Sequence, residues 1–177
     1  KLGNDVFLKR EDMQPIFSFK IRGAYNKIAN LGAQQKKRGV LTASAGNHAQ
    51  GVANACRKLK IPCLIVMPVT APEIKIKAVK RLGAKVKLFG DNFDQASKKA
   101  IQLSKEKKIE FIEAFDDPYT IAGQGTVGKE ILDADPSLDV IFVPVGGGGL
   151  LAGISAWAAQ TQSKTKVYGV EVEDSAC

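Results

Sequence analysis

The sequence predicts an α/β fold built on parallel strands, on three grounds. Strand-like runs alternate with helical periods from Gly39 onward, as repeated strand–helix–strand units require. Those runs are nearly continuous in apolar residues, which suits strands buried on both faces. Small-residue turns follow two of them, and in open parallel sheets ligands bind beyond the carboxyl ends of strands. With 177 residues, 45% of them hydrophobic, the chain can bury a sizeable core as one large or two small domains.

In chain order, Asp5 to Lys9 reads as a short strand and Arg10 to Ser18 as a loop carrying Pro15. Ser18-Phe19-Lys20-Ile21-Arg22-Gly23-Ala24 then opens an amphipathic helix, whose apolar period continues through Ile21, Ala24, Tyr25, Ile28 and Leu31. Lys20 falls in its first turn. There a cation opposes the helix dipole and loses hydration, and both effects favour the neutral, nucleophilic amine that a Schiff base requires. The plainer alternative is a solvated lysine near a helix start.

Further strands are predicted at Val40–Ala43, Pro62–Met67, Lys85–Phe89, Glu110–Ile112, Val140–Val145 and Lys166–Glu171. Helical periods fill the gaps, for example Val52, Ala55, Cys56 and Leu59, then Phe93, Ala96, Ala100 and Leu103. No low-complexity linker and no other fixed-period repeat interrupts them.

After the first of these strands comes Ser44-Ala45-Gly46-Asn47-His48-Ala49-Gln50-Gly51, a turn into a helix with Asn47 or Ser44 as candidate cap. Its backbone amides suit an anion, although a plain capped turn would look the same. His48 is the only histidine, and either a structural or a site role fits it. After Val145 come Gly146, Gly147, Gly148 and Gly149, leading into a helix from Leu150 to Gln160. Four glycines cost backbone entropy unless something approaches the main chain closely, and a helix N-terminus suits a phosphate. Gly147-x-Gly149-x-x-Ala152, with Glu171 closing the next strand, also satisfies a loose dinucleotide fingerprint, so a nicotinamide-dependent dehydrogenase is the rival reading.

Composition narrows the partners. The net charge of +8 comes partly from Lys36-Lys37-Arg38, Lys98-Lys99 and the Lys105–Lys108 run, all at helix ends or on helix faces. No aromatic residues interleave with them as a stacking platform would need, so solvated faces are expected and no nucleic-acid partner. Cys56, Cys63 and Cys177 are an odd number without Cys-x-x-Cys spacing, which argues against a disulfide framework or zinc; no metal ligand set is expected. No apolar run approaches the ~18 residues of a spanning helix, and Lys1 to Asn4 lack a signal-peptide core. The expectation is a soluble protein of the cytoplasm without a membrane partner. Because the chain opens without Met and stops just after a strand-like run, it is expected to be a fragment, and a targeting segment for an organelle could be missing. A non-catalytic scaffold fragment is the alternative from another class.

Taken together, the Ser18–Ala24, Ser44–Gly51 and Val143–Leu150 stretches resemble the pyridoxal-phosphate enzymes of fold type II. Within these, the resemblance is to the biosynthetic threonine dehydratases (threonine ammonia-lyases), and it runs from Lys9-Arg10-Glu11-Asp12 to Glu171–Cys177. It implies the two-lobed, tryptophan synthase β-like fold, with residues 1–39 in a large lobe, 40–118 in a small α/β lobe and 119–177 in the large lobe again. It also implies that Lys20 holds pyridoxal 5′-phosphate as an imine, that Phe19 packs on the cofactor ring and that Gly146, Gly147, Gly148, Gly149 and Leu150 cradle its phosphate. Asn47 would bind the ring hydroxyl. Ser44, Ala45, Gly46, Asn47 and His48 would line the place of the substrate carboxylate.

The chemistry implied is α,β-elimination from L-threonine, giving 2-oxobutanoate and ammonia for isoleucine biosynthesis, with L-serine as a second substrate. Lys20 would remove the Cα proton, and the cofactor phosphate is the candidate proton donor to the leaving hydroxide. The full-length enzyme is expected to be a homo-oligomer acting on a small amino acid. Serine racemases of this fold are the near alternative. They place a serine hydroxyl where this chain has Ala45, and a metal-binding aspartate where it has Cys177 after the matching Glu171, so the resemblance favours the dehydratase.

Overall fold

The computed structural model describes residues 3–175. After a 3₁₀ turn at Glu11–Met13, helices α1 (Lys20–Ala29) and α2 (Ala33–Arg38) precede strand β1 (Val40–Ala43). The chain then runs through α3 (Asn47–Leu59), β2 (Cys63–Met67), α4 (Glu73–Arg81), β3 (Lys85–Leu88), α5 (Phe93–Lys107) and β4 (Glu110–Phe111). It continues with α6 (Pro118–Ala134), β5 (Val140–Pro144), α7 (Gly149–Gln160) and β6 (Lys166–Val170), and a 3₁₀ turn at Glu173–Ser175 follows.

The strands form two parallel sheets, one in the order β3-β2-β1-β4 and the other pairing β5 with β6. In the first, alternate residues point to opposite faces. Cys63, Ile65 and Met67 of β2 pack into a core with α1, α3 and α4, while Leu64 and Val66 join Leu41, Ala43 and the Ala96/Ala100/Leu103 stripe of α5. Both faces are therefore covered, as the continuous apolar runs require. The edge strand β3 presents exposed Lys85 and Lys87, charges that discourage pairing with another chain.

The second sheet departs from the sequence expectation. Ile141 and Val143 pack on Val127, Leu132 and Ile154 of α6 and α7, but Phe142 and Tyr168 stack on the opposite face at 5.9 Å and stay exposed. Only one of its faces is covered among the described residues.

Three smaller expectations are corrected. Asp5–Lys9 is not a strand, because no described strand runs beside it to accept its backbone bonds. Tyr25 is 41% exposed, since the buried stripe of α1 passes through Ile21, Ala24 and Ile28 and leaves it at the rim. The cap of α3 is Gly46, not Asn47 or Ser44; Asn47 is the first helical residue, and the Ser44 hydroxyl accepts the Gly46 N–H at 3.1 Å.

Glycines set how closely the helices around Lys20 approach. A Cβ on Gly23 of α1 would stand 2.6 Å from the Thr120 carbonyl of α6, and one on Gly123 would stand 2.6 Å from Gly23 Cα. On its other side α6 meets α7, where a Cβ on Gly153 would lie 2.5 Å from Ile121 O. Main chain thus packs on main chain through α1, α6 and α7. This seam brings the N-termini of α1 and α7 to one place.

Candidate active site

Lys20 begins α1 directly after Phe19, and its amine lies 5.4 Å from the Phe19 ring centroid. Nζ donates to the Ala114 carbonyl at 2.8 Å. Burial holds the Lys20 amine below the usual lysine range, so a larger share of it is neutral and nucleophilic.

A cavity of about 230 Å³ opens beside it, lined by Phe19, Lys20, Phe115, Pro144, Val145 and the Gly146–Leu150 run. The far wall is the start of α7. Gly148 caps that helix in the left-handed region at φ 77°, so the first amides of α7 have no partner within the helix. Gly147 and Gly149 are glycines for a packing reason: a Cβ on Gly149 would stand 2.8 Å from the Phe115 carbonyl, and one on Gly147 would enter the Phe115 ring. At Gly146 and Gly148 a Cβ would meet nothing within 4 Å, so there the backbone faces open space. A lysine amine on one wall and an amide-rich helix end on the other fit an aldehyde bearing a phosphate.

The turn from Ser44 to His48 does not line this cavity; it sits beside it at the carboxyl end of β1. Ala45 packs toward the first core. His48 is 5% exposed, and its Nε2 donates to the Ile112 carbonyl at 3.0 Å, which fixes the Nε2–H tautomer. Burial first, and the nearby Lys20 charge after it, push its pKa down to about 4 against the upward pull of that hydrogen bond, so the ring is neutral at neutral pH. The structure thus gathers Phe19, Lys20 and Gly146–Leu150 around one space and sets residues 44–48 next to it.

Sequence reasoning missed the connection from Ile112 to Asp117. It follows β4, and its atoms meet the site repeatedly: Ile112 O accepts from Thr42 and His48, Ala114 O accepts from Lys20, and Phe115 walls the cavity. A signal was present. Asp117-Pro118 announces a helix start, and Asp117 does cap α6 by accepting the Thr120 N–H at 3.0 Å. Residues 112–117 are thereby another connection leaving the carboxyl end of a parallel strand, the kind of place where ligands bind.

Lys9, Glu11, Arg22 and Glu130 form a charged network behind α1, with the Arg22 guanidinium held by Glu11 at 2.7 Å and Glu130 at 2.6 Å. It fixes the segment before Lys20 to α1 and α6. Among the described residues no helix is long and apolar enough to cross a membrane.

The sequence profile of the pyridoxal-phosphate dependent enzymes matches residues 1–177. The biosynthetic L-threonine dehydratase of Pasteurella multocida is 55% identical over 177 residues, all of this chain and 34% of that protein. The chain therefore spans about a third of that relative's length. The processed form of threonine deaminase isoform 2 from Solanum lycopersicum has a solved structure that superposes with a TM-score of 0.90 at 51% identity, covering 92% of this chain and 45% of that one. Maize serine racemase superposes with a TM-score of 0.87 at 37% identity, covering 92% of this chain and 50% of its own.

Proposed function

Because the chain belongs to the pyridoxal-phosphate dependent enzymes, we propose that its site serves the α,β-elimination of L-threonine to 2-oxobutanoate and ammonia, with L-serine as a second substrate, and that Lys20 is the reactive amine. One observation carries the reading: a desolvated lysine amine shares a cavity with the amide end of α7. When bound, the cofactor disperses the negative charge that builds on the substrate Cα. The chain's own residues bind the reactants and move the Cα proton. The amides and open backbone of Gly146–Gly149 and Leu150 hold the phosphate, and Phe19 supplies an apolar face beside the amine. Lys20 Nζ, kept largely free of water, takes the Cα proton. The turn from Ser44 to His48, with Asn47 among its amides, receives the substrate carboxylate and the ring hydroxyl.

Ala45 weighs against racemisation in this site. Inverting the Cα centre needs a proton donor on the face opposite Lys20, and a methyl side chain cannot act as one. The Glu171 and Cys177 comparison bears on the same point, although Cys177 lies outside the described residues. The reading places residues 40–118 in a small lobe between two parts of a large one. It also takes the full-length protein to be a homo-oligomer of the cytoplasm or an organelle, in the service of isoleucine synthesis.

Borohydride reduction of the cofactor-loaded full-length protein, followed by peptide mapping, tests the assignment. Label on Lys20, with keto acid and ammonia released from L-threonine and negligible D-amino acid, supports it. Label on another lysine, or rapid D-serine formation, overturns it.

A further inference from the structure

Two lysines seven residues apart on α1 reach the same connection. Lys20 Nζ donates to Ala114 O at 2.8 Å, and Lys27 Nζ meets Asp117 Oδ2 at 2.7 Å, three residues further along. A third bond, from Asn26 Nδ2 to Tyr119 O at 2.7 Å, ties α1 to the first turn of α6, just past the connection. The Lys27 and Asp117 side chains are each only 13% exposed, so their pairing is not a solvent-screened surface contact. Asp117 has two duties, since its other oxygen caps α6. Burial pushes its carboxyl up, but Lys27 and the Thr120 amide together bring it below the usual carboxylate range.

We infer that Lys27 and Asp117 are a positioning pair: they clamp the 112–117 connection to α1 so that the Ala114 carbonyl stays on the Lys20 amine and water stays away from it. The inference rests on the reading that Lys20 is the reactive amine. The geometry supports it because α1 is a single rigid helix, so the Lys27 end fixes the spacing at the Lys20 end. α1 also holds α6 through Gly23, Asn26 and the Gln124 side chain, so what the clamp adds is the tie to the connection ahead of that helix, between Ala114 and Asp117.

The readout is the pH profile of Lys20 acylation by a small amine-reactive reagent, measured by peptide mass spectrometry on the full-length protein freed of cofactor. Other charged or titratable groups around Lys20 are few. Arg22 and Lys27 share its helix, His48 on α3 is neutral, the connection carries Glu113, Asp116 and Asp117, and the Gly146–Leu150 run carries none. Asp117→Asn keeps an oxygen to cap α6 and removes the pair's negative charge. If the pair positions, water reaches Lys20 and its midpoint rises by up to about one unit, so labelling at a fixed pH below the midpoint falls by up to about tenfold. A purely through-space effect has the opposite sign, because losing a nearby negative charge favours the neutral amine and raises labelling.

The double variant Lys27→Met/Asp117→Asn removes both charges of the pair, keeps the net charge and leaves Glu110, 3.7 Å from Lys27, its bond from Gln35, so it guards against misfolding of the single change. It is expected to show the same upward shift, and Lys27→Arg, which retains the pair, none. An unchanged profile in Asp117→Asn and the double variant, or a downward shift in Asp117→Asn, overturns the inference. A drop in melting temperature alone, with the Lys20 profile unmoved, also overturns it, because that is what a merely structural pair would give. Borohydride trapping on the native protein is scored separately: its failure removes the functional reading, whereas the cofactor-free profile judges the clamp.

Discussion

Gly51 of α3 lies against the carbonyl of Lys20: a Cβ at Gly51 would stand 2.9 Å from that oxygen and 3.2 Å from its carbon. The helix that follows the Ser44–Gly46 turn and the helix that carries the amine are thus in backbone contact at the amine's own residue. Gly51→Ala forces them apart. Helix propensity favours alanine there by ~0.5–1 kcal/mol, but overpacking against main chain, which cannot swing aside, costs ~1–3 kcal/mol. A net loss of stability is expected in denaturant melts, together with weaker cofactor uptake. A stabilised variant would show that α1 is free to shift.

The glycine run offers a sharper test because its members differ in surroundings. At Gly146 a side chain would meet no protein atom within 4 Å, so Gly146→Ala is expected to leave the stability of the cofactor-free protein within ~0.5 kcal/mol. If the phosphate sits over that backbone, affinity for pyridoxal phosphate falls by at least about tenfold, a change of ~1.4 kcal/mol. Gly147→Ala is expected to lower both quantities, since its methyl group must displace the Phe115 ring. Fluorescence titration with the cofactor and thermal melts separate the two. Wild-type affinity in Gly146→Ala would remove that residue from the phosphate site.

Much of this fold is legible in the sequence, for identifiable reasons. β1, β2 and β5 fall within a residue of their predicted ends because each is an apolar run bounded by turn residues. The helices that cover the first sheet show a plain period because each buries one stripe. α6 is harder to read. It is buried on two sides, against α1 at Gly123 and against α7 at Gly125, and glycines at contact points look like weak helix formers. The apolar period also predicts Tyr25 inside, yet it cannot tell the rim of a buried stripe from its centre. Phe19, Lys20 and the glycine run were recognisable as motifs, and the seam of helix glycines is what brings them together. The Lys20–Ala114 bond joins residues 94 apart, and no local pattern encodes it. Phe115 was missed for the same reason, because its role depends on Gly147 and Gly149 across the cavity.

His48 should make stability depend on pH over a defined window. Its pKa is about 4 in the folded chain against 6.5 for the free side chain, so between those values the unfolded chain binds more protons. The contribution is fully present above pH 6.5 and is lost as pH falls toward 4. A shift of that size corresponds to at most ~3 kcal/mol. His48→Gln, whose amide can still donate toward the Ile112 carbonyl, is expected to flatten that part of the curve in denaturant melts at stepped pH. An unchanged slope would mean that His48 takes up its proton at the same pH in the folded and unfolded chains.

The charged network behind α1 predicts a second, more acidic window and an order of effects. Arg22 is 12% exposed and grips Glu11, which is 14% exposed, through Nε at 2.8 Å and Nη2 at 2.7 Å. Its other partner, Glu130, is 47% exposed and also meets Lys9 at 2.6 Å. Hydrogen bonds from Arg22, with those from Lys9, hold the Glu130 carboxyl at about 2, below its ordinary 4.5. Burial raises the Glu11 carboxyl, but Arg22 and Lys9 outweigh it and bring it below the usual range. Both groups therefore stabilise the fold above their unfolded values, and that stability is lost as the pH falls from 4.5 toward 2. Glu11→Gln weakens a charge-assisted pair that solvent barely screens and should cost ~1.5–3 kcal/mol at neutral pH. Glu130→Gln, in better contact with water, should cost at most ~1 kcal/mol. Urea melts of the two variants and the double variant at pH 7 and in acid check the order, and both single changes should shallow the acid loss. Equal costs, or a larger one for Glu130→Gln, would show that Arg22 is fixed to α6 rather than to the segment that precedes Lys20.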